Sequence, residues 1–327
     1  MACMVSSRTA MVRRLLAAVG SALLLAACGS APAAAPSASA LTHVKIGLTS
    51  KSTGSLYLYV GKDLGIFQKY GIDPELVIGQ SEALVTGLNQ GDMEFMGTMP
   101  SAAQGAEKGL PIRGVFVAKD HPEYLLVGDT GVTQVSQLKG KQLAGSIKSQ
   151  LPSLMMMRLL ELDGLPESDY TIIPVANDPA RTALVEQHKA AAGVLGVAES
   201  LPLVEAGHPI IDSTLSKVYW PSSGLAVTLD ILNKRRDLVQ RAINAALEAS
   251  HVAATDKERT VGVLTKDFGL TQAQGERLFD LLQPAYTTNG RPNPEAIRFQ
   301  LETDAKAMQL PAPVPADQVY DFSLLPK

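Results

Sequence analysis

The sequence predicts an α/β fold, in which strands and helices alternate along most of the chain. Apolar residues make up 46% and charged residues 19% of its 327 residues, which is the composition of an ordinary globular body. The segment THVKIGL, at 42–48, places apolar side chains at every second position, a pattern typical of a strand. Similar segments recur between segments with helical spacing. This alternation favours parallel sheets covered by helices on both faces.

The predicted strands lie at residues 42–48, 74–79, 93–97, 112–118, 124–128, 141–147, 170–176, 191–198 and 223–229. The predicted helices between them lie at residues 56–64, 81–89, 100–108, 152–162 and 180–187, with Ser81 as a candidate cap. From Asp237 to about Met308 the chain is predicted to be helical, with breaks near Gly269 and between Pro284 and Pro294. The sequence therefore predicts two α/β units and a helical C-terminal third.

The first 27 residues are typical of a secretory signal peptide. Three arginines and no acidic residue precede an apolar run at 15–27, which is shorter than the about 20 residues that span a bilayer. Leu25-Ala26-Ala27-Cys28 resembles the bacterial lipobox, in which the cysteine is lipidated and becomes the mature N-terminus. The alternative is an ordinary signal peptide with a chance cysteine. Residues 28–41, rich in Pro, Ala and Ser, would then form the lipidated cysteine and a flexible tether. We expect a lipid-anchored, extracytoplasmic protein, either periplasmic or on the outer face of the cell membrane.

Charge and cysteine content exclude several classes of protein. Removing residues 1–27 takes away three arginines, so the net charge goes from −3 to −6. A mildly acidic chain is a poor candidate for binding nucleic acid. Residues 29–327 contain no cysteine, so Cys28 has no partner for a disulfide within the mature chain and stability must come from a packed core.

The stretch GIFQKYGIDPELV, at 65–77, resembles the substrate-binding proteins of ABC importers, in the branch for nitrate, sulfonate, taurine and thiamine precursors. LKGK at 138–141, Gly164-Leu165 and Ile173-Pro174 also resemble motifs of that family. Further matches are Leu88, Gly91, Glu94, Gly97, Pro100, Ala103 and Gly109. The resemblance covers roughly residues 42–310. Two departures stand out: the family usually has an aspartate at Glu94, and HKAAAGVLG (188–196) lacks an acid found there in relatives, so a relative's ligand should not be transferred.

The resemblance implies a bilobal, type II periplasmic-binding-protein-like fold. Lobe 1 would contain residues 42–122 and 225–327, and lobe 2 residues 123–224, joined by a two-strand hinge. Crossovers near His121-Pro122 and at 222–224 would form that hinge. A small ligand would bind between the lobes, at the carboxyl ends of the strands. The implied partners are a membrane permease with cytoplasmic ATPase subunits.

In that geometry, we expect the ligand-binding residues to lie in three loops. SKSTGS (50–55) offers Lys51, Ser52 and Thr53 before a helix, and GTMPS (97–101) offers Thr98 and Met99. The third loop, SIKSQLPS (146–153), offers Ser146, Lys148 and Ser149. Two such loops, each with a lysine, would favour an anionic head group such as a sulfonate or nitrate. The alternatives are that these are solvated loops with surface lysines and that Met99 fills a gap in the core.

Two weaker candidates lie in the second lobe. Asn177 and Asp178 follow a predicted strand, and we expect Asp178 to cap the next helix while Asn177 remains a ligand candidate. Trp220, the only tryptophan, lies beside the expected hinge, where it could stack on a ligand or pack against the lobe interface.

The competing class is an enzyme, because relatives with this fold include a sulfinate desulfinase type with a cysteine nucleophile and a thiamine-pyrimidine synthase type with a cysteine-rich motif. Both chemistries need a cysteine in the cleft, and residues 29–327 contain none. The five histidines show no metal-ligand spacing, and no cofactor motif is present. The sequence therefore predicts a solute-binding lipoprotein of an ABC importer with an anionic ligand. A ligand-sensing lipoprotein, or a binder of an uncharged thiamine-type pyrimidine, remains the alternative.

Overall fold

The computed structural model describes residues 40–326 apart from 149 and 176. Its strands are β1 Thr42–Leu48, β2 Ile72–Ile78, β3 Phe95–Thr98, β4 Ile112–Lys119, β5 Tyr124–Gly128, β6 Gln142–Gly145, β7 Thr171–Pro174, β8 Ala192–Gly196, β9 Ile210–Ser213 and β10 Ser223–Thr228. Its helices are α1 Leu56–Asp63, α2 Ile66–Lys69, α3 Ser81–Gln90, α4 Met99–Glu107, α5 Leu151–Leu162, α6 Asp178–Glu186, α7 Val197–Glu205, α8 Leu229–Lys234, α9 Arg236–Thr255, α10 Lys257–Phe268, α11 Gln272–Leu282 and α12 Pro294–Ala307. The predicted signal peptide, Cys28 and most of the predicted tether lie outside the described residues.

Two five-stranded sheets organise these elements, which confirms the predicted α/β, bilobal fold. The first sheet has the strand order β2-β1-β3-β10-β4, and the second has the order β7-β6-β8-β5-β9. We call the sheets and their helices lobe 1 and lobe 2. Within the described residues, no helix is both long and apolar enough to cross a bilayer.

The expectation of parallel sheets was wrong for one strand in each lobe. β10 runs antiparallel to β3 and β4, and β5 runs antiparallel to β8 and β9. Both are the strands that the chain forms directly after it crosses from the other lobe. β10 therefore begins at the side of the first sheet where β1 and β3 end, and β5 begins at the side of the second sheet where β8 ends.

The sequence also missed helix α7 and strand β9. Helix α7 contains Pro202 in its interior, which removes a backbone donor and weakens a sequence-based helix signal. Strand β9 is four residues long and pairs only with β5, at the edge of the second sheet. Ser81 is the first residue of α3 and does not cap it, since the N-cap position belongs to Gln80.

Helix α9 packs closely along α1 in lobe 1. Its buried residues include larger side chains such as Ile243 together with five alanines, namely Ala242, Ala245, Ala246, Ala249 and Ala253. A methyl group added at Gly61 of α1 would lie 3.0 Å from the Ala249 side chain and 2.6 Å from Phe67. A side chain at Gly61 would therefore force its neighbours to shift, because protein interiors are closely packed.

The two segments that join the lobes, residues 120–123 and 214–222, are hydrogen bonded to each other and to the ends of β4 and β5. The backbone N–H of Trp220 donates to the Asp120 carbonyl at 2.7 Å, and that of Ser222 donates to the Lys119 carbonyl at 3.0 Å. The Thr214 hydroxyl donates to the Pro122 carbonyl at 2.6 Å. These bonds place both crossovers side by side at the base of the cleft.

Candidate functional site

A cavity of about 320 Å³ lies between the lobes, at the edge where β1, β3 and β8 end. Its size is within the range of small-molecule pockets. Residues of both lobes and both crossovers line it: Ser50, Ser52, Thr53, Gly54, Thr98, Pro100, Pro122, Glu123, Tyr124, Leu151, Asp178, Gly196, Val197, Glu199 and Ser222. No lysine, arginine or histidine is among these described lining residues.

The base of the cavity is built on a buried ion pair between Lys119 and Glu123. Lys119 is fully buried at the end of β4 and Glu123 is 11% exposed in the first crossover. Burial lowers the pKa of Lys119, and the charge and hydrogen bond of Glu123 oppose that effect. The Lys119 ammonium also lies 4.5 Å from the centre of the Tyr286 ring, a cation–π contact.

Thr53 connects this ion pair to the first loop. Its hydroxyl donates to Oε2 of Glu123 at 2.5 Å, and its carbonyl oxygen accepts a hydrogen bond from Nζ of Lys119 at 2.7 Å. Both oxygens of Glu123 are thereby engaged by protein donors. The negative charge of Glu123 is balanced before any ligand enters.

The wall formed by lobe 2 carries two further carboxylates. Oδ1 of Asp178, in the first turn of α6, accepts from Nη2 of Arg181 at 2.5 Å and from the backbone N–H of Gly196 at 3.3 Å. Arg181 is 3% exposed, so Asp178 has a buried cation of its own. Glu199, in the first turn of α7, has no side-chain partner among the described residues. Glu199 is exposed, yet partial desolvation raises the pKa of its carboxyl group, and the charges of Asp178 and Glu123 add to this. A hydrogen bond from its own backbone N–H and the charge of Arg181 act in the opposite direction on that pKa.

A narrow recess of about 70 Å³ adjoins the cavity on the lobe 1 side. It shares Ser50, Ser52, Gly54, Thr98 and Ser222 with the cavity lining. Seven hydroxyl side chains line it, those of Thr49, Ser50, Ser52, Ser55, Thr98, Ser222 and Ser223. The Ser223 hydroxyl is buried with no hydrogen-bond partner among the described residues. Two of the seven hydroxyls already donate to backbone carbonyls, that of Ser55 to Ser52 and that of Ser222 to Lys119 and His121.

Three of the nominated residues, Ser52, Thr53 and Thr98, line the cavity. Met99 does not, because it is fully buried in an apolar cluster with Met96 and Ile112. The core interpretation of Met99 therefore fits the structure better than the ligand interpretation.

The two lysines do not face each other across the cleft. Lys51 points toward α10, where Nζ lies 4.0 Å from Asp267 and 5.2 Å from the centre of the Tyr59 ring. Lys148 is exposed and pairs with Glu167 on the outside of lobe 2. The pocket of two lysines expected from the sequence is absent among the described residues.

The remaining nominated residues have structural partners. Ser146 is buried, and its hydroxyl accepts from the backbone N–H of Ser153 at 3.2 Å at the start of α5. Ser149 lies outside the described residues. Asn177, not Asp178, caps α6, since its Oδ1 accepts from the Ala180 N–H at 3.0 Å. Trp220 is 2% exposed and packs edge-on against Phe299 at 5.8 Å between ring centres, away from the cavity lining.

Sequence reasoning did not nominate any of the three carboxylates of the cavity as a binding residue. Glu123 directly follows the expected crossover at His121-Pro122, and that position could have indicated that its side chain lies at the cleft. Asp178 was noticed but assigned the capping role that Asn177 has. Glu199 lies in α7, the helix that the sequence did not predict. Among the described residues, no group of three or more His, Cys, Asp or Glu side chains is arranged to hold a metal ion.

Two α/β lobes, two hydrogen-bonded crossovers and a cavity between the lobes define a periplasmic-binding-protein-like architecture. The chain belongs to the NMT1/THI5-like family, whose model matches residues 52–260. A search of curated proteins found no match to this chain.

Solved structures share this fold. The periplasmic aliphatic sulphonate binding protein SsuA from Escherichia coli superposes with a TM-score of 0.70 at 17% identity, covering 85% of this chain and 97% of that one. The periplasmic nitrate-binding protein NrtA from Synechocystis superposes with a TM-score of 0.60 at 16% identity, covering 87% of each chain. The desulfurization enzyme DSZB does so with a TM-score of 0.65 at 14% identity, covering 87% of this chain and 97% of that one. At these identities the likeness shows the fold alone.

Proposed function

We propose that this protein is an extracytoplasmic solute-binding lipoprotein of an ABC import system. It captures a small molecule in the cavity between its lobes and delivers it to a membrane permease with cytoplasmic ATPase subunits. The observation that carries the proposal is the cavity itself, which is lined by both lobes and both crossovers. A ligand held there contacts both lobes at once, so its binding free energy can favour a closed arrangement of the lobes.

Binding, not catalysis, is the function that we infer for the cavity. DSZB shows that an enzyme can have this fold. The nucleophile of the sulfinate desulfinase type, as described above, is a cysteine thiol. Residues 29–327 contain no cysteine. In the described cavity the Thr53 hydroxyl donates to Glu123, but that carboxylate is paired with the buried Lys119. Asp178 is likewise paired with Arg181, so neither carboxylate is a free general base.

The names of SsuA and NrtA state that they bind sulphonate and nitrate, which are small oxyanions. In this chain such an oxyanion would be held by hydroxyl groups instead of lysines. The recess around Thr98 and Ser223 offers hydroxyl donors without a fixed positive charge. A sulfonate or nitrate group there would accept hydrogen bonds, as would the ring nitrogen of an uncharged pyrimidine. The hydroxyl recess supports either ligand class as the group that enters lobe 1.

The function can be tested by thermal unfolding of the full chain, purified in mild detergent, with a panel of small molecules. The panel contains alkyl sulfonates, nitrate, small carboxylates, amines and thiamine-type pyrimidines. A ligand at 100 times its dissociation constant adds about 2.7 kcal/mol to the unfolding free energy, which gives a readily measured shift in Tm. A selective shift, followed by loss of uptake of that compound in cells lacking the protein, supports the proposal. A chain that binds no compound and whose deletion changes no uptake contradicts it.

The lipid anchor is tested separately, at Cys28. The proposal predicts that cells fed a labelled fatty acid incorporate the label into the wild-type chain and not into Cys28→Ser. It also predicts that the wild type fractionates with membranes while Cys28→Ser is released in soluble form. Equal labelling and fractionation of the two proteins would leave an ordinary signal peptide as the explanation of residues 1–27.

A further inference from the structure

The charges around the cavity leave one carboxylate without a counter-charge. Glu123 is paired with Lys119 and Asp178 with Arg181, and both cations are buried behind the lining. Glu199 has no cation within salt-bridge distance among the described residues. Glu199 is exposed and lines the cavity, so it is the carboxylate of this lining with which a ligand cation can pair, on the wall that lobe 2 forms.

Gly196 makes room for this carboxylate beside Asp178. A methyl group added at Gly196 would collide with Oε2 of Glu199 and lie 3.7 Å from Oδ2 of Asp178. Oδ2 of Asp178 is also the oxygen that Arg181 leaves free, because Arg181 and the Gly196 N–H both bind Oδ1. The two open carboxylate oxygens thus converge on the space above Gly196, where a hydrogen-bond donor can contact both.

An independent feature indicates that a polar ligand group enters the recess that adjoins this cavity on the lobe 1 side. Ser223 is 97% buried, given its 3% exposure, and its hydroxyl lacks a partner among the described residues while lining the adjoining recess. A buried polar group without a hydrogen bond is costly, of the order of 1–3 kcal/mol. A ligand atom in the recess would satisfy it.

We propose that Glu199 and the free oxygen of Asp178 form a subsite for a protonated nitrogen, so that the ligand carries a cationic amino or amidino group. This inference rests on the proposed function, because it names the chemistry of the solute. The ligand would place its cationic nitrogen against lobe 2 and a polar group in the hydroxyl recess of lobe 1. A zwitterion or a cation satisfies this arrangement. An anion without a cationic group leaves Glu199 unpaired and is repelled by its negative charge.

The inference gives a definite pH dependence. The charged and titratable groups that face Glu199 are Asp178 and Arg181 from α6, and Glu123 and Tyr124 from the crossover and β5. The pKa of Glu199 is raised in the free protein, and a bound cation stabilises its ionised form. Affinity for a cation is therefore highest above that pKa and falls as the pH is lowered through it. An anion that accepted a hydrogen bond from protonated Glu199 would show the opposite trend.

The test uses pairs of small probes in which one member carries a cationic ammonium or amidinium group and the other does not. Calorimetry with the full chain compares 2-aminoethanesulfonate with ethanesulfonate, and butylamine and acetamidine with butanol and acetamide, at several pH values. We expect the cationic member of at least one pair to bind at least tenfold more tightly. Glu199→Gln should remove that preference and its pH dependence, and Gly196→Ala should weaken it. Glu186→Gln, an exposed residue outside the cavity lining on α6 of the same lobe, is the matched control and should change neither.

The outcomes separate this inference from the proposed function. Tight binding of the uncharged or anionic members with no gain from the ammonium group overturns the cationic subsite and leaves a solute-binding protein. A cation preference that persists in Glu199→Gln also overturns the assignment to this wall. Absence of binding by every probe, together with unchanged solute uptake on deletion of the protein, overturns both.

Discussion

The ammonium group of Lys119 donates a hydrogen bond to the carbonyl oxygen of Thr53 at 2.7 Å, which ties the end of β4 to the first cleft loop. Lys119 also forms an ion pair with Glu123. This buried cation therefore holds together the loop, the crossover and the base of the cavity. The arrangement explains why a charged side chain is fully buried there, since its ammonium group contacts a carbonyl oxygen, a carboxylate and the Tyr286 ring.

Removing Lys119 should destabilise the fold strongly. In Lys119→Met, Glu123 would remain as a buried carboxylate without its counter-charge, which typically costs about 3–5 kcal/mol of unfolding free energy. The double variant Lys119→Met/Glu123→Gln should recover part of that loss, because no uncompensated charge remains. Denaturant unfolding measures the unfolding free energies of the wild type, the single variant and the double variant.

The matched control for this prediction is Lys148→Met. Lys148 also pairs with a glutamate, but its side chain is 63% exposed, and such surface pairs contribute about 0–1 kcal/mol. An equal loss of stability for Lys119→Met and Lys148→Met would contradict the assigned role of the buried pair.

Stability should fall as the pH rises above neutrality because of Glu107 on α4. Burial, with a further contribution from the charge of Asp304 on α12, raises the pKa of Glu107 to about 8, and burial raises the pKa of Asp304 to about 6. The folded state therefore binds these protons more tightly than the unfolded state. Their contribution is fully present below the ordinary carboxyl range and is lost as the pH rises through about 6 and then about 8.

Thermal unfolding between pH 5 and 9 tests this effect; those pH limits lie about one unit outside the two raised pKa values. We expect the Tm of the wild type to decrease across that range and the decrease to be smaller in Glu107→Gln, which cannot ionise. Glu82→Gln, at an exposed position on α3, provides the control and should keep the slope of the wild type. A wild-type Tm that rises steadily with pH would show that Glu107 and Asp304 do not dominate the linkage.

Trp220 should contribute to stability and not to ligand affinity. It is buried in the second crossover, packs against Phe299 of α12, and its backbone N–H donates to the Asp120 carbonyl. Trp220→Ala should cost about 3–5 kcal/mol, and Trp220→Phe less, because the ring contact is partly kept. Calorimetry on Trp220→Phe should give the affinity of the wild type. Lost binding with an unchanged Tm would instead favour stacking of the indole on the ligand.

Neither Lys51 nor Lys148 should affect the affinity for the ligand. Lys51 lies over the Tyr59 and Phe268 rings, and Lys148 pairs with Glu167, so neither ammonium group reaches the cavity. We expect Lys51→Ala and Lys148→Ala to bind within about twofold of the wild type, since a rim charge mainly affects association rates. Thr53→Val is the informative comparison, because it removes the hydroxyl that donates to Glu123 at 2.5 Å. A large loss of affinity in either lysine variant would restore the anion pocket expected from the sequence.

The sequence by itself determined the α/β class, most of the strands and the helical C-terminal third. Strands such as β1 and β5 were predicted with their observed bounds, because the alternation of apolar side chains is a local property of a few residues. The loops of lobe 1 that follow parallel strands could also be nominated, since those strands end at the cavity. Ser52, Thr53 and Thr98 were found for this reason.

Only the tertiary structure decided the charge of the site. The bonds that define it join residues far apart in the chain: Lys119 and Thr53 are 66 positions apart, and Thr53 and Glu123 are 70 apart. Sequence reasoning placed two lysines at the cleft because they occupy the right loops, but each side chain turns outward to a nearer acidic or aromatic partner. Glu123 reaches the cavity because it lies in the crossover just before β5, whereas Asp178 and Glu199 reach it from the first turns of α6 and α7, which follow β7 and β8. Local periodicity carries no information on such long-range pairing, so the fold could be predicted from the sequence while the electrostatics of its cavity could not.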